Sequence, residues 1–238
     1  MMQSRPFSPE VIFTSIPALL PYLKVTLLVG ITSIITGSLL GMLLAWAKIT
    51  GNRLIRSLAD GYTYIIRCTP SIVLLFIVFY GLPKFVEASF GIDMDNLSRA
   101  LFVIITFTLL FGAYVSEVFR SAYETVERGQ YEAAVTIGLT PVQAFFHVML
   151  PQAAVIALPN FGNSVINLMK ESALAYTIGL IDLLGRTNLI ISKNYGAYGI
   201  ELYIACMLIY WLLSIIIERS FLKMEAHLNH KRIKVEEG

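Results

Sequence analysis

The sequence predicts an all-α, polytopic membrane protein, and three observations lead there. Of its 238 residues, 56% are hydrophobic and 14% are charged, against about 25% charged in soluble domains. Mean hydropathy is +0.70, and apolar runs approach the roughly 20 residues that cross a hydrocarbon core about 30 Å thick. Between those runs lies Tyr131–Pro151, which opens with charge and holds Gly138, Pro141 and His147. Its pattern suits two short helices rather than a span.

The elements follow in order. Residues 1–19 read as an exposed N-terminal segment, 20–222 as the transmembrane domain and 223–238 as a polar tail. Val25–Ala47 is charge-free and long enough to cross. Its Gly30, Gly37 and Gly41 offer notches for helix packing. The stretch "KITGNRLIR" is a basic loop, and Tyr62–Leu82 is a second span interrupted by Arg67. Leu82–Arg99, with Pro83, Asp93 and Asp95, reads as a loop. Ala100–Phe119 is the third span, with Glu117 near its end. A fourth runs from Ala153 to Met169 and stops at Lys170-Glu171. Ser172–Ile181 is a short apolar piece, "IDLLGRTNLIIS" is helix-like, and Leu202–Ile217 is the fifth span. Five spans place the termini on opposite sides. Lysines and arginines divide ten against seven between the two sets of loops. Basic residues gather on the cytoplasmic side, so the N-terminus is expected outside, with residues 120–150 and the tail inside.

The segment between the third and fourth spans carries its own folding instructions. Gly138 can take the left-handed conformation that ends a helix. Thr140 can cap the next helix, Pro141 suits its first turn, and Gln143 completes a capping box. Pro151 is expected to break the chain where it turns into the membrane. Ala133 and Ala134 leave room for another surface against the first short helix. Such a helix suits a partner protein, although a helix lying on the bilayer has the same composition.

Other classes are excluded by what is missing. A net charge of +2 argues for no nucleic-acid partner. Cys68 and Cys206 lie far apart in apolar surroundings, which is not a disulfide framework. No G-x-x-x-x-G-K-[ST] phosphate loop is present. His147 has only two tail histidines for company, so no metal-ligand set can be built, and no nucleophile–base pair points to an enzyme.

The run Glu132-Ala133-Ala134, three residues, Gly138, nine residues, Val148, one residue, Leu150-Pro151 resembles the EAA loop of membrane subunits in bacterial ATP-binding-cassette (ABC) importers. Further stretches resemble the polar amino-acid permeases of that class. Arg67-Cys68-Thr69-Pro70 is similar to their RGTP, with Cys68 for Gly. Ala113-Tyr114, Glu117 and Arg120 match AY-x-x-E-x-x-R. Arg128-Gly129-Gln130 and Pro151-Gln152-Ala153 flank the loop as in the family. Leu158-Pro159, Asn163 and Lys170-Glu171-Ser172 resemble LP…N…KDTS. The likeness covers about residues 20 to 220.

The resemblance implies the type I importer fold, with 128–151 as the cytoplasmic coupling loop. Glu132, Ala133, Ala134, Gly138, Thr140 and Pro141 would then meet an ATP-hydrolysing subunit. This chain would bind no cofactor, since ATP and Mg would sit on that partner. Two ATP-binding subunits, a second permease copy or paralogue, an extracytoplasmic solute-binding protein and membrane lipid are the implied partners. The implied place is a bacterial cell membrane. The cargo would be a polar amino acid, with cystine preferred for overall likeness and glutamine next. Such a zwitterion needs opposite charges or dipoles once desolvated. Arg67 with Thr69 suits its carboxylate and Glu171 its ammonium, with Lys170 beside it and Asn163, Asn167 and Ser172 offering hydrogen bonds. Arg67 could equally snorkel to the headgroups, and Lys170 and Glu171 could simply end a span. Glu117 and Arg120, one turn apart, are expected to pair near the cytoplasmic gate. The alternative is an ion-gradient-driven secondary amino-acid transporter, but that would call for inverted repeats and more spans.

Overall fold

Within lipid an unpaired backbone amide has no water to turn to, so each span must satisfy its hydrogen bonds internally. The chain does this with helices. Its computed structural model describes residues 7–94 and 96–236, with side chains through 228. The order is α1 (Pro9–Thr50), α2 (Arg53–Cys68), α3 (Ser71–Phe76), α4 (Leu82–Phe90), α5 (Arg99–Thr125), α6 (Arg128–Thr136), α7 (Pro141–Ala144), α8 (Leu150–Glu171), α9 (Leu183–Lys193) and α10 (Gly199–Glu236). π turns over Ile77–Gly81 and Phe145–Met149 join α3 to α4 and α7 to α8. A 3-10 turn, Ser172–Ile178, follows α8.

Among the described residues, five segments are long and apolar enough to cross a membrane: Pro9–Thr50, Ser71–Phe90, Arg99–Thr125, Pro141–Ile178 and Gly199–Leu228. The expected number of spans holds, and several boundaries move. Of the expected N-terminal segment, Met1–Pro6 lies outside the described residues; the rest is helical from Pro9. Its Ile12 and Leu19 are buried while Phe13, Thr14, Pro17 and Ala18 are exposed, so one side of these turns is packed. The second span starts after Pro70. Thr69 is extended (φ −91°, ψ 127°), as the residue before a proline prefers, and this ends α2 and leaves Arg67 in its last turn. The expected loop after Leu82 is helical through Phe90. Pro151 does not break the chain. The amide of Leu150 reaches back five residues to the carbonyl of Phe145, and this π turn lets a proline join the helix that follows.

The chain divides into two compact units. The first comprises Met1–Ile34, Pro70–Phe107 and Asn167–Ile216. Its core holds Ile12, Leu19, Leu183, Ala205, Cys206 and Ile209. There the Thr26 hydroxyl accepts from the Leu183 amide at 3.2 Å, and the Asp182 carboxylate caps α9 by accepting from Gly185 N at 2.8 Å. Burial pushes the Asp182 carboxyl up to about 6.

The second unit comprises Ile35–Thr69, Thr108–Ile166 and Ile217–Gly238. Here α1 meets α5 almost backbone to backbone: a Cβ on Gly41 would lie 3.2 Å from the carbonyl oxygen of Gly112, and one on Gly37 would lie 3.1 Å from that of Thr108. The Thr36 and Thr108 hydroxyls meet at 2.6 Å across this seam. Small-residue packing of this kind holds helices together where water supplies no hydrophobic drive.

Candidate functional site

The segment between α5 and α8 folds as its sequence dictates. α6 ends in a Schellman motif: Gly138 N donates to Val135 O at 3.0 Å and Leu139 N to Ala134 O at 3.1 Å. Gly138 has φ +99°, and nothing lies within 4 Å of the Cβ it lacks. The glycine is therefore required by backbone conformation and not by crowding. Thr140 then caps α7. Its hydroxyl accepts from Gln143 N at 3.3 Å, and Gln143 Oε1 accepts from Thr140 N at 2.9 Å.

The inner side of this elbow is packed. Val126, Met149 and Ala153 form a buried cluster flanked by Tyr123, Tyr131, Phe145 and Ile156, and the rings of Tyr123 and Phe145 lie 6.0 Å apart. Other residues of the elbow stand in the open. Ile137 is 81% exposed, Val142 65% and Phe146 58%. Glu132 and Ala133 share the open surface, whereas Ala134 is buried, so only one of the two expected alanines offers itself to a partner. His147 is exposed as well, its Nδ1 held by the Gln143 carbonyl at 3.0 Å.

A second polar assembly in this unit joins three helices. Glu117 pairs with Arg120, whose Nη2 lies 2.8 Å from Oε2, and Arg120 Nη1 reaches Glu124 at 2.6 Å. Sequence spacing anticipates the first pair but not its other partner. Lys48, expected in a basic loop, belongs to α1 and is 3% exposed. Its ammonium bonds Glu117, donates to the Thr63 hydroxyl at 2.6 Å and lies 3.5 Å from Asp60. The signal was present in the spacing. Gly37, Gly41, Ala45 and Lys48 recur every three or four residues, the period of one helix face, and the two glycines on that face abut α5.

The residues expected to meet cargo are divided. Arg67, Thr69 and Asn163 belong to the second unit; Asn167, Lys170, Glu171 and Ser172 belong to the first. Arg67 is exposed, with its guanidinium 5.6 Å from the centre of the Tyr114 ring, within cation–π reach. The Thr69 hydroxyl donates to Ile65 O at 2.8 Å. Asn163, Asn167 and Lys170 are exposed at helical spacings of four and three, and so share one face of α8. Glu171 is half-buried. Ser172 is buried and donates to Met169 O at 2.7 Å.

Among the described residues, five helical segments long and apolar enough to cross a membrane, with a two-helix elbow carrying exposed apolar residues, suit the membrane subunit of a transporter. Residues 37–228 match the family described as "Binding-protein-dependent transport system inner membrane component", and the chain belongs to it. It is 36% identical over 232 residues to the L-cystine transport system permease protein TcyL of Bacillus subtilis, covering 97% of this chain and 95% of that protein. It is 32% identical over 229 residues to the nopaline transport system permease protein NocM of Agrobacterium fabrum, covering 95% and 94%. The crystal structure of an amino acid ABC transporter with histidines matches with TM-score 0.81 and 28% identity, over 94% of this chain and all of that one. An inward-facing MetNI methionine ABC transporter shares the fold alone, with TM-score 0.64 and 19% identity. The resemblance to bacterial polar amino-acid ABC permeases therefore stands, as does the importer fold it implied.

Proposed function

We propose that this chain forms half of the translocation pathway of an ATP-driven importer for a polar amino acid. In this proposal the elbow 128–151 receives a separate ATP-binding subunit. One observation carries the proposal: Ile137, Val142 and Phe146 stand in the open on a segment whose other side is well packed. Ile137 lies on the turn between α6 and α7, ahead of the membrane-crossing segment that starts at Pro141, and an apolar residue left in the open there suits a protein interface. Glu132, Ala133, Gly138, Thr140 and Pro141 shape that surface, and Ala134 fixes it from within. The ATP-binding subunits, working as a pair, would hold ATP and Mg. A second permease copy or paralogue would complete the pathway, and an extracytoplasmic binding protein would deliver cargo. Charge bias favours an outer N-terminus and a cytoplasmic elbow and tail, in a bacterial cell membrane.

Arg67 and Thr69, and the exposed face of α8 with Asn163, Asn167, Lys170 and neighbouring Glu171, are the proposed cargo contacts. Cystine is preferred because a cystine permease is 36% identical over nearly the whole chain. Glutamine is the next choice. The elbow is tested in the purified complex, where Glu132→Ala and Gly138→Pro should each depress cargo-stimulated hydrolysis and uptake. Wild-type values for both variants would remove the coupling role. Uptake of labelled glutamine in cells carrying the whole system, with unlabelled cystine and arginine as competitors, tests the cargo: if cystine fails to compete and labelled cystine is not itself taken up, the preferred cargo is wrong.

A further inference from the structure

We infer that Lys48 is a positioning residue that makes α2 follow α5, so that movement of the elbow reaches the helix end carrying Arg67 and Thr69. The inference rests on the coupling role proposed above and adds the route inside this chain. Its first link is apolar. Tyr123 of α5, Val126 just beyond it and Phe145 pack in the cluster that seats the elbow. A shift of the elbow is therefore a shift of the last turns of α5. The second link is ionic. Glu117 stands within two turns of Tyr123 and takes the Lys48 ammonium on one carboxylate oxygen and Arg120 on the other.

The third link is the far side of Lys48, where its ammonium donates to Thr63 at 2.6 Å and faces Asp60 at 3.5 Å, both on α2. Lys48 is thus the one cation that contacts carboxylates of both helices among the described ion pairs. It is 3% exposed, so water cannot substitute for a lost partner, and separating the charges would leave one of them buried. A residue whose every alternative is costly transmits position. Four residues beyond Thr63, α2 presents Arg67, whose guanidinium lies over Tyr114 of α5. Two further ties, that cation–π contact and the Tyr62 hydroxyl on Leu109 O at 3.0 Å, join the same two helices but involve no buried charge.

The test has two arms. For the chain alone in lipid nanodiscs, spin labels at Leu58 and Ser121 in a Cys68→Ser background report the separation of α2 and α5. Lys48→Met should broaden that distance distribution, Lys48→Arg should restore most of it, and an unchanged distribution overturns the tie. In the assembled transporter, Lys48→Met should cut uptake about tenfold or more while hydrolysis stays within about threefold of wild type. Uptake at the wild-type rate overturns transmission, and so does an equal loss of hydrolysis and uptake. Thr63→Val removes one contact without disturbing charge; it should lower uptake about threefold and keeps the question open to test should Lys48→Met not assemble. The double variant Lys48→Met/Glu117→Gln should be no worse than Lys48→Met, since residues acting as one unit do not add; multiplied losses refute the link. Failure of the elbow assignment would show separately, as normal transport by Glu132→Ala and Gly138→Pro.

Discussion

The elbow and the Lys48 cluster lie in the same unit and invert ordinary side-chain placement in opposite senses. The elbow puts Ile137, Val142 and Phe146 in the open; the cluster puts an ammonium where almost nothing reaches it. Each inversion carries a cost, and what offsets it differs. The cluster is complete within the chain, because every charge in it has a counter-charge at bonding distance. The elbow is incomplete, because its apolar face has no cover among the described residues. An unfinished surface belongs to an interface, and a finished one to the mechanism that serves it.

Breaking the cluster should cost most. Glu117→Ala leaves Lys48 with the Thr63 hydroxyl and, as sole counter-charge, the partly exposed Asp60, and removing one partner of a buried pair typically costs about 3 kcal/mol or more; a thermal-unfolding midpoint unchanged in the detergent-solubilised protein would contradict this. The buried Asp182 of the other unit sharpens the contrast, because no cation pairs with it among the described residues. Its pKa of about 6 in the folded chain exceeds its ordinary 3.8, so the folded state binds the proton more tightly. The associated stability is present below pH 4 and is lost as pH rises through 6. A shift of two units corresponds to at most about 3 kcal/mol. Asp182→Asn should flatten that part of a stability–pH profile, and an unaltered slope would count against the assignment.

Phe146→Asp addresses the elbow. Binding of the ATP-binding subunit should weaken at least tenfold, about 1.4 kcal/mol, with the unfolding midpoint of the chain itself unmoved; equal affinity in a pull-down titration would remove Phe146 from the interface. Gly138→Ala forces an ordinary residue to φ +99° and should cost about 1 to 2 kcal/mol, visible as faster proteolysis at the elbow. Smallest is Asp60→Asn. The carboxylate is more than half exposed, and exposed pairs contribute about 1 kcal/mol or less, so the unfolding midpoint should barely move; a large drop would show that Asp60, rather than Thr63, holds the α2 end of the link.

What the sequence disclosed follows the same division. Gly138, Thr140, Pro141 and Gln143 act on neighbours three to five residues away, so their motif and its capping box could be read directly. Nothing next to Pro151 reveals that the helix continues through it, because the π turn that accommodates it depends on five residues in concert. The apolar run around Arg67 hides the break at Thr69-Pro70, which ends α2 and puts Arg67 ahead of the segment that starts at Ser71. Lys48 and Glu117 are 69 positions apart. Their meeting depends on how closely α1 can approach α5, and the glycines that permit the approach do not reveal which charges it brings together.

The 42 residues of α1 extend roughly 63 Å at 1.5 Å each. Transmembrane helices tilt by up to about 40°, and even then some 48 Å would project along the bilayer normal, against a hydrocarbon layer of about 30 Å. Roughly sixteen residues or more would therefore stand beyond the acyl chains. Thickening or thinning the bilayer should change how much of α1 is wetted, giving this subunit a built-in sensitivity to the lipid composition of its host membrane.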